Sequence, residues 1–253
     1  MTILLKDFVK LIDEELQPWQ FKDYCPNGLQ VEGSENISKL VTGVTACMDL
    51  IDRAVALKAD AILVHHGYFW RGEDAVITGM KRRRIEMLLE NEISLLAYHL
   101  PLDAHASMGN NAQLAQLMNW QMREGLESGA RFPIGNWGTT SHPITLEELG
   151  QDIHQKLGRQ PMLIPGGDHD IKTIAWCTGA AQSMIDKALD VGADAFVSGE
   201  ISESTVHFAR ENGIHYISAG HHATERYGVQ ALAEWLVEQT GIEHEFVDIN
   251  SPV

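Results

Sequence analysis

The sequence has few cysteines and no long apolar run. Its three cysteines, Cys25, Cys47 and Cys177, lie far apart and form no CxxC pair. This spacing provides neither a disulfide framework nor a thiolate metal site, and it is typical of a reducing compartment. No run of 18 apolar residues occurs, and charges within the first ten residues interrupt any signal-peptide core. We therefore expect a soluble cytoplasmic protein with no membrane partner.

Positive charge is also scarce. The chain has 19 Lys and Arg against 35 Asp and Glu, a formal net charge of −16. Nucleic-acid binding needs clustered basic residues that face phosphates, so this charge argues against nucleic acid as a main partner. The one basic run, 81–84, opens an amphipathic stretch and is best interpreted as a solvated helix face. Such a patch can also guide a small anionic substrate.

Several common catalytic motifs are absent as well. The sequence contains no GxxxxGK[ST] loop, no GxGxxG turn and no GxSxG elbow. These absences argue against a P-loop nucleotidase, a dinucleotide-binding domain and an α/β-hydrolase. The 253 residues, 44% of them hydrophobic, are enough for one large α/β domain or two modest lobes.

The chain repeats itself. Residues 39–67 align with 172–200, and Ala59-Asp60-Ala61 falls on Ala193-Asp194-Ala195. Each copy has the pattern of an apolar strand, an amphipathic helix and a second apolar strand. Flanking helices also match, at 4–16 and 145–157, and the second begins with a capping box formed by Thr145 and Glu148.

This repeat predicts two similar α/β lobes, 1–125 and 126–253. The Gly- and Pro-containing stretch 125–143 is interpreted as the joint between them. Strands that alternate with helices indicate largely parallel sheets covered by helices. Ligands of such sheets bind beyond the carboxyl ends of the strands, so we expect the functional residues there.

The first candidate site is the end of the apolar strand 61–64. His65 and His66 close this strand, and Gly67 then lets the backbone turn sharply. Neighbouring side chains point to opposite faces within a strand, but a turn at its end can bring both imidazoles into one pocket. The alternative is a pair of polar loop residues with ordinary hydrogen bonds.

Two further segments carry metal-binding side chains. Asp103 follows the next predicted strand, where Pro101 is expected to hold the chain extended and to fix the direction of the carboxylate. His221 and Glu225 in "GHHATER" are four residues apart and would project from one face of a helix. The alternatives are a turn aspartate and an ordinary i,i+4 ion pair.

Together these residues provide more N and O ligands than one tetrahedral zinc needs. Shared by two ions, with Glu225 bridging, they leave positions for water, and two ions about 3.5–4 Å apart can lower the pKa of a bridging water. Glu200 occupies the position of His66 in the second copy and is a candidate outer group. His99, His215 and His222 are candidates for proton transfer or for supporting the ligands.

These motifs resemble the NIF-three-like family, whose members are commonly called GTP cyclohydrolase 1 type 2 homologues. The resemblance runs nearly end to end and rests on several ordered motifs: "PNGLQVEG" (26–33), "VHHGYFW" (64–70), "HLPLDAH" (99–105), "GNNAQLA" (109–115), "SGE" (198–200) and "GHHATER". Larger members carry a domain inserted between the lobes, and the short joint here has no room for one.

The resemblance implies two pseudo-symmetric α/β lobes with a dinuclear metal site in the cleft between them. Its metal ligands correspond to His65, His66, Asp103, His221 and Glu225. It also implies a toroidal homohexamer whose metal sites face an interior cavity. The metal is not determined, because mixed histidine and carboxylate sites accept zinc, manganese, iron, cobalt or nickel.

Three functions remain open at this point. The leading hypothesis is a metal-dependent hydrolase of a nucleotide or similar small molecule, which opens a purine ring or cleaves a phosphoester. The second is a metal-binding, metal-delivery or scaffold protein without turnover. The third is a ring that encircles nucleic acid, which the acidic charge opposes unless residues 81–84 line the hole.

Overall fold

A computed structural model describes all 253 residues of the chain. These residues form two compact units. Unit 1 comprises Met1–Leu102 and Gly228–Asn250, and unit 2 comprises Asp103–Tyr227 and Ser251–Val253. Each unit has its own mixed sheet flanked by helices. The α/β fold class predicted from the sequence is confirmed.

Strands and helices alternate along most of the chain. The elements up to residue 104 are β1 (Ile3–Leu4), α1 (Leu5–Leu16), β2 (Gly28–Val31), β3 (Asn36–Ile37), β4 (Lys39–Thr45), α2 (Met48–Ala56), β5 (Ala61–His66), α3 (Gly79–Glu90), β6 (Ser94–Ala97) and α4 (Leu100–Ala104). The remaining elements are α5 (Asn110–Met118), β7 (Gln121–Gly125), β8 (Asn136–Ile144), α6 (Leu146–Leu157), β9 (Met162–Ile164), β10 (Ile171–Cys177), α7 (Ile185–Asp190), β11 (Ala195–Ser198), α8 (Glu203–Asn212), β12 (His215–Ser218), α9 (His221–Thr224), α10 (Arg226–Thr240) and β13 (Glu243–Phe246).

The main sheet of unit 1 has the order β13-β4-β5-β6-β2. Its strands are parallel except β2, which runs antiparallel to β6. The first four residues of the central strand β5 form a continuous apolar run, as expected for a strand covered on both faces. Helix α2 buries Leu50, Ile51 and Ala54 in the core that also contains Ile62 of β5. Each large aliphatic side chain buried there contributes about 2 kcal/mol of transfer free energy.

The sheet of unit 2 has the order β7-β8-β10-β11-β12-β9, with β10, β11 and β12 parallel. Helix α6 packs Leu149, Ile153 and Leu157 into a core that includes Trp176 of β10. The capping box predicted at the start of this helix is confirmed, since Thr145 and Glu148 bond each other's backbone N–H groups. The local sequence therefore determines where α6 begins.

The predicted joint at 125–143 is wrong. Residues 136–144 form β8, which pairs with β7 on one side and with β10 on the other. The glycine and proline residues of this stretch lie in and around the connection between two antiparallel strands of unit 2. Such residues mark a turn equally well whether it joins two strands or two lobes, so their presence did not distinguish the two cases.

The internal repeat is present in the hydrogen bonds as well as in the sequence. Oδ2 of Asp60 accepts backbone hydrogen bonds of 2.7 and 2.9 Å from residues 38–39. Oδ2 of Asp194 accepts bonds of 2.9 and 2.8 Å from residues 172–173. The strand pairs β4–β5 and β10–β11 also share one register. The predicted strand–helix–strand repeat is therefore confirmed.

The basic run lies on α3, and two of its four residues form ion pairs within unit 1. Lys81 Nζ lies 3.2 Å from a carboxylate oxygen of Glu73, and Arg82 lies 2.6 Å from Glu86 on the next turn. These ion pairs favour the solvated helix face over a phosphate-binding patch. No helix in the chain combines the length and apolar character needed to cross a membrane.

Candidate metal centre

The carboxyl end of β5 presents two imidazoles. His65 is fully buried, and its Nδ1 lies 3.0 Å from the carbonyl oxygen of Tyr98. Because a carbonyl only accepts hydrogen bonds, Nδ1 carries the proton and Nε2 keeps its lone pair. His66 is partly buried, with Nδ1 3.3 Å from Thr45 Oγ1, and the two histidine rings lie 4.5 Å apart. The strand end therefore brings both imidazoles together.

Gly67 allows the chain to leave β5 through a crowded space. A Cβ at this position would clash with the side chain of Gln30 and lie 2.5 Å from Cβ of Ala97. Gln30 also fixes the next residue, because its Oε1 accepts from Tyr68 N at 2.7 Å and its Nε2 donates to Tyr68 O at 3.1 Å. Glycine is thus required here because the Gln30 side chain fills the space of a Cβ, and not because of a sharp turn.

A third imidazole of unit 1, that of His99, lies beside these two. One ring nitrogen from each of His65, His66 and His99 lies within 4.8 Å of the others, so the group can hold a metal ion. His99 Nδ1 lies 2.7 Å from Asp23 Oδ1, and His99 N donates to Asn27 Oδ1 at 2.7 Å. The backbone and the ring of His99 are therefore both held by the segment that precedes β2.

Asp23 is the centre of this support. Its side chain is 3% exposed and accepts from His99, Asn27 Nδ2, and the backbone N–H groups of Tyr24 and Leu100. Burial alone would raise the pKa of Asp23. The hydrogen bond and the charge of His99, together with hydrogen bonds from Asn27 and from the Tyr24 backbone, lower this pKa to about 2. Asp23 is therefore ionised at neutral pH.

Two aromatic rings flank His99. The ring of Trp70 lies 5.0 Å from that of His99 in an edge-to-face arrangement, and the ring of Tyr24 lies 6.3 Å away. Trp70 also lies 5.9 Å from His66. Cys25 is close by, and burial followed by the charge of Asp23 raises the pKa of its thiol to about 12. The thiol is therefore protonated at neutral pH.

In unit 2, His221 lies between two carboxylates. Its Nδ1 is 2.7 Å from Glu200 Oε1, and its Nε2 is 3.2 Å from Glu225 Oε2. Burial lowers the pKa of His221, but the hydrogen bonds and charges of Glu225 and Glu200 outweigh it and raise the pKa to about 9. The predicted i,i+4 contact is present, although α9 ends at Thr224 and Glu225 follows it. A divalent cation at Nε2 would replace a proton there.

Asp103 lies in α4, at the start of unit 2, and is 6% exposed. Its Oδ1 accepts from Asn110 Nδ2 at 2.9 Å and from Thr178 Oγ1 at 3.4 Å. The expectation that Pro101 keeps this segment extended is wrong, because residues 100–104 form a short helix. Proline is tolerated in the first turn of a helix, where no N–H is needed.

Glu225 is 3% exposed and fits closely against Gly179. Gly179 has φ +69°, and a Cβ there would clash with Glu225 Oε1 and lie 3.3 Å from His221 Nε2. Nearby, burial raises the pKa of the Cys177 thiol well above its ordinary value, and the charges of Asp103 and Glu225 raise it further. Negative charge is thus concentrated in a buried part of unit 2, which favours a bound cation.

The other two histidine candidates differ in their surroundings. His215 is buried at the amino end of β12, where Nδ1 accepts from Gly166 N at 3.1 Å and Nε2 lies 3.0 Å from the carbonyl oxygen of His169. Both ring nitrogens therefore stabilise the 165–170 loop, and the suggested proton-transfer role for His215 is wrong. His222 is partly buried, and its backbone N–H donates to the backbone carbonyl oxygen of Val253 at 3.1 Å.

The donor chemistry fits divalent metal ions. Unit 1 presents a group of imidazole nitrogens, and unit 2 presents buried carboxylates beside an imidazole. Donors of both kinds suit zinc and the neighbouring transition metals. In both units a histidine is held through Nδ1 by an oxygen acceptor, so that Nε2 would be the nitrogen that ligates a metal ion.

Sequence reasoning missed several polar residues that support these groups. Asn111, 1% exposed, donates through Nδ2 to the carbonyl oxygen of Ile134 at 2.6 Å, accepts from Thr178 N at 3.0 Å, and accepts from Trp176 Nε1 through its own carbonyl. Hydrogen bonds from four more side chains also hold neighbouring groups in place: Asp23, Asn27, Gln30 and Asn110. The available signal for the four amides was their place within the motifs 26–33 and 109–115, whereas Asp23 lies outside both motifs.

Comparison with known proteins agrees with this architecture. A family profile described as Duf34/NIF3 (NGG1p interacting factor 3) matches residues 3–252. A protein of Vibrio cholerae named GTP cyclohydrolase 1 type 2 homolog is 54% identical over 96% of this chain and 97% of its own length. A protein of the same name from Pseudomonas aeruginosa is 50% identical over the full length of both chains.

The same similarity extends to three dimensions. The solved structure of protein ybgI, described as of unknown function, superimposes with a TM-score of 0.95 at 49% sequence identity. That superposition covers 99% of this chain and 100% of ybgI. The chain therefore belongs to the Duf34/NIF3 family.

Proposed function

We propose that this chain is a dinuclear metal-dependent hydrolase of a nucleotide or a related small molecule. The proposed ligands of two divalent ions are His65, His66, Asp103, His221 and Glu225. The observation that carries the proposal is the support of the two buried or half-buried imidazoles, His65 Nδ1 by a backbone carbonyl and His221 Nδ1 by Glu200. Metal-binding histidines are typically oriented in this way, because the second hydrogen bond fixes the tautomer and raises the basicity of Nε2.

The surrounding residues suit hydrolysis. A bound metal pair would supply an activated water and polarise a substrate oxygen. The chain itself contributes a further imidazole, His99, within reach of the His65–His66 pair, and His222 and Glu200 are additional candidates for proton transfer. Trp70 and Tyr24 beside His99 offer aromatic surface to a planar ring such as a nucleobase.

The substrate class rests on the relatives. Their name, GTP cyclohydrolase 1 type 2 homolog, is consistent with a nucleotide-related substrate. A metal-bound hydroxide can attack the C8 carbon of guanine or a phosphoester, and the ligand set suits either reaction. We extend the proposal to a homohexamer in the cytoplasm. Sedimentation of the purified protein tests the oligomeric state.

The decisive experiment is elemental analysis of the protein purified without added metal. We expect about two ions per chain in the wild type, as a dinuclear centre requires, and a clear reduction in His65→Ala and Glu225→Ala. His207→Ala is the matched control, because His207 is exposed on α8 and the metal content should not change. Metal near zero, with no uptake from zinc, manganese or iron, would overturn the proposal.

A second step separates an enzyme from a binding protein. The metal-loaded protein is incubated with a panel of nucleoside mono-, di- and triphosphates, and products are followed by mass spectrometry. Turnover that is lost in Glu225→Ala supports a hydrolase. A full metal complement without turnover of any compound would favour the alternative, a metal-binding, metal-delivery or scaffold protein.

A further inference from the structure

The segment Asp23–Asn27 has no metal ligand of the proposed set, yet it holds the ring and the backbone of His99. The Asp23 carboxylate lies 2.7 Å from His99 Nδ1, and Asn27 accepts from His99 N at 2.7 Å. Asn27 is itself bound to Asp23 through Nδ2 at 2.8 Å. A half-buried histidine of a loop would otherwise adopt several rotamers, so this arrangement restricts His99 to one orientation.

The Asp23 carboxylate is saturated with donors. Oδ1 accepts from Tyr24 N and His99 Nδ1, and Oδ2 accepts from Asn27 Nδ2 and Leu100 N, with distances from 2.6 to 2.9 Å. Both oxygens act as acceptors, so the proton of the Asp23–His99 bond resides on Nδ1. Nε2 is then the ring nitrogen with the lone pair.

The ring of His99 packs beside the other imidazoles of unit 1. Nδ1 is occupied by Asp23, and the His99 ring lies 5.0 Å from that of His65 and 5.7 Å from that of His66. From this geometry we infer that Asp23 is a positioning residue, which fixes His99 in the Nδ1–H tautomer with Nε2 directed at the His65–His66 pair.

The chemical role of this pair rests on the proposed hydrolase function. As a water oxygen bonds to the electrophilic carbon or phosphorus, its O–H bond breaks and the proton passes to His99 Nε2. The displaced electron pair moves to a substrate oxygen or to the leaving atom, which later takes the proton back. Asp23 stays ionised throughout and balances the charge of the imidazolium.

The inference is tested on the ring nitrogens of His99 by NMR of protein labelled with ¹⁵N-histidine. The His99 signals are assigned by their loss in His99→Gln. The wild type should show a protonated Nδ1 and an unprotonated Nε2, and Asp23→Ala should shift the population toward the Nε2–H form. Asp60→Ala is the matched control, because Asp60 also accepts two backbone N–H groups in unit 1 but contacts no histidine.

The wild-type spectrum alone can overturn the inference, so a poorly folded variant does not leave it untested. An Nε2–H tautomer in the wild type, or an unchanged tautomer in folded Asp23→Ala, would contradict it. Metal content should equal that of wild type in Asp23→Ala, and a fall to the level of His65→Ala would make the pair part of the ligand set instead. An intact tautomer in a protein that takes up no metal supports Asp23 as positioning residue while removing the hydrolase proposal.

Discussion

Nδ1 of His221 lies 2.7 Å from Oε1 of Glu200, a residue that follows β11 in the second copy of the repeat. We expect Glu200→Gln to lower metal affinity by about 10- to 100-fold, because a neutral amide holds the imidazole less firmly and makes Nε2 less basic. Competition with a fluorescent chelator measures this affinity. Glu203→Gln, an exposed position on α8, is the control, and equal affinities in the two variants would contradict the role of Glu200.

A side chain at residue 179 should displace Glu225. Gly179→Ala adds a Cβ that clashes with Glu225 Oε1 and also strains a backbone at φ +69°. Gly192 has φ +71° with open space around its Cβ position, so Gly192→Ala introduces the strain without the clash. Both variants should lose about 1 kcal/mol of unfolding free energy through the backbone. Only Gly179→Ala should lose metal, as elemental analysis would show, and equal metal contents would refute the clash.

Asn111 should be a major stabilising residue of unit 2. Its side chain is 1% exposed and bonds Ile134 O and Thr178 N. Asn111→Ala leaves these buried backbone groups without their partner, which we expect to cost about 2–4 kcal/mol in urea unfolding. Asn212→Ala, which removes one exposed bond to Phe208 O, should cost less than about 1 kcal/mol. Similar losses in the two variants would argue against the network around Asn111.

Asp23 should make stability depend on pH in the acid range. Its pKa is about 2 in the folded chain and 3.8 ordinarily, so the unfolded chain binds the proton more readily. The stabilisation is fully present above the ordinary value and is lost as the pH falls through about 2. The difference in unfolding free energy between wild type and Asp23→Asn should therefore shrink between about pH 4 and pH 2. A constant difference would show that Asp23 has an ordinary pKa.

Local patterns predicted much of this fold. The capping box at Thr145, the amphipathic helices and the strand–helix–strand repeat depend on neighbours in sequence, and the structure contains all three. The proximity of His65 and His66 at a strand end also followed from the chain order. Each of these features involves residues whose spacing along the chain sets their contact.

The supporting network could not be predicted in the same way. His99 is held by residues 72 and 76 positions earlier, Asn27 and Asp23, and Asn111 bonds Thr178 across 67 positions. Nothing in the local pattern indicates such partners. The helical turn around Asp103 and the strand β8 were also missed, because proline and glycine are compatible with several structures and tertiary packing selected among them.

The repeated aspartates have one more consequence. Asp60 and Asp194 each secure the start of a parallel strand pair, while the side chains that differ between the copies, His66 and Glu200, come where the second strand of each pair finishes. The residues that hold the strands together and the residues that differ chemically between the copies therefore lie at opposite ends of the same strand pair. The first copy carries an imidazole at this position, and the second carries a carboxylate that orients His221, without change to the framework that both share.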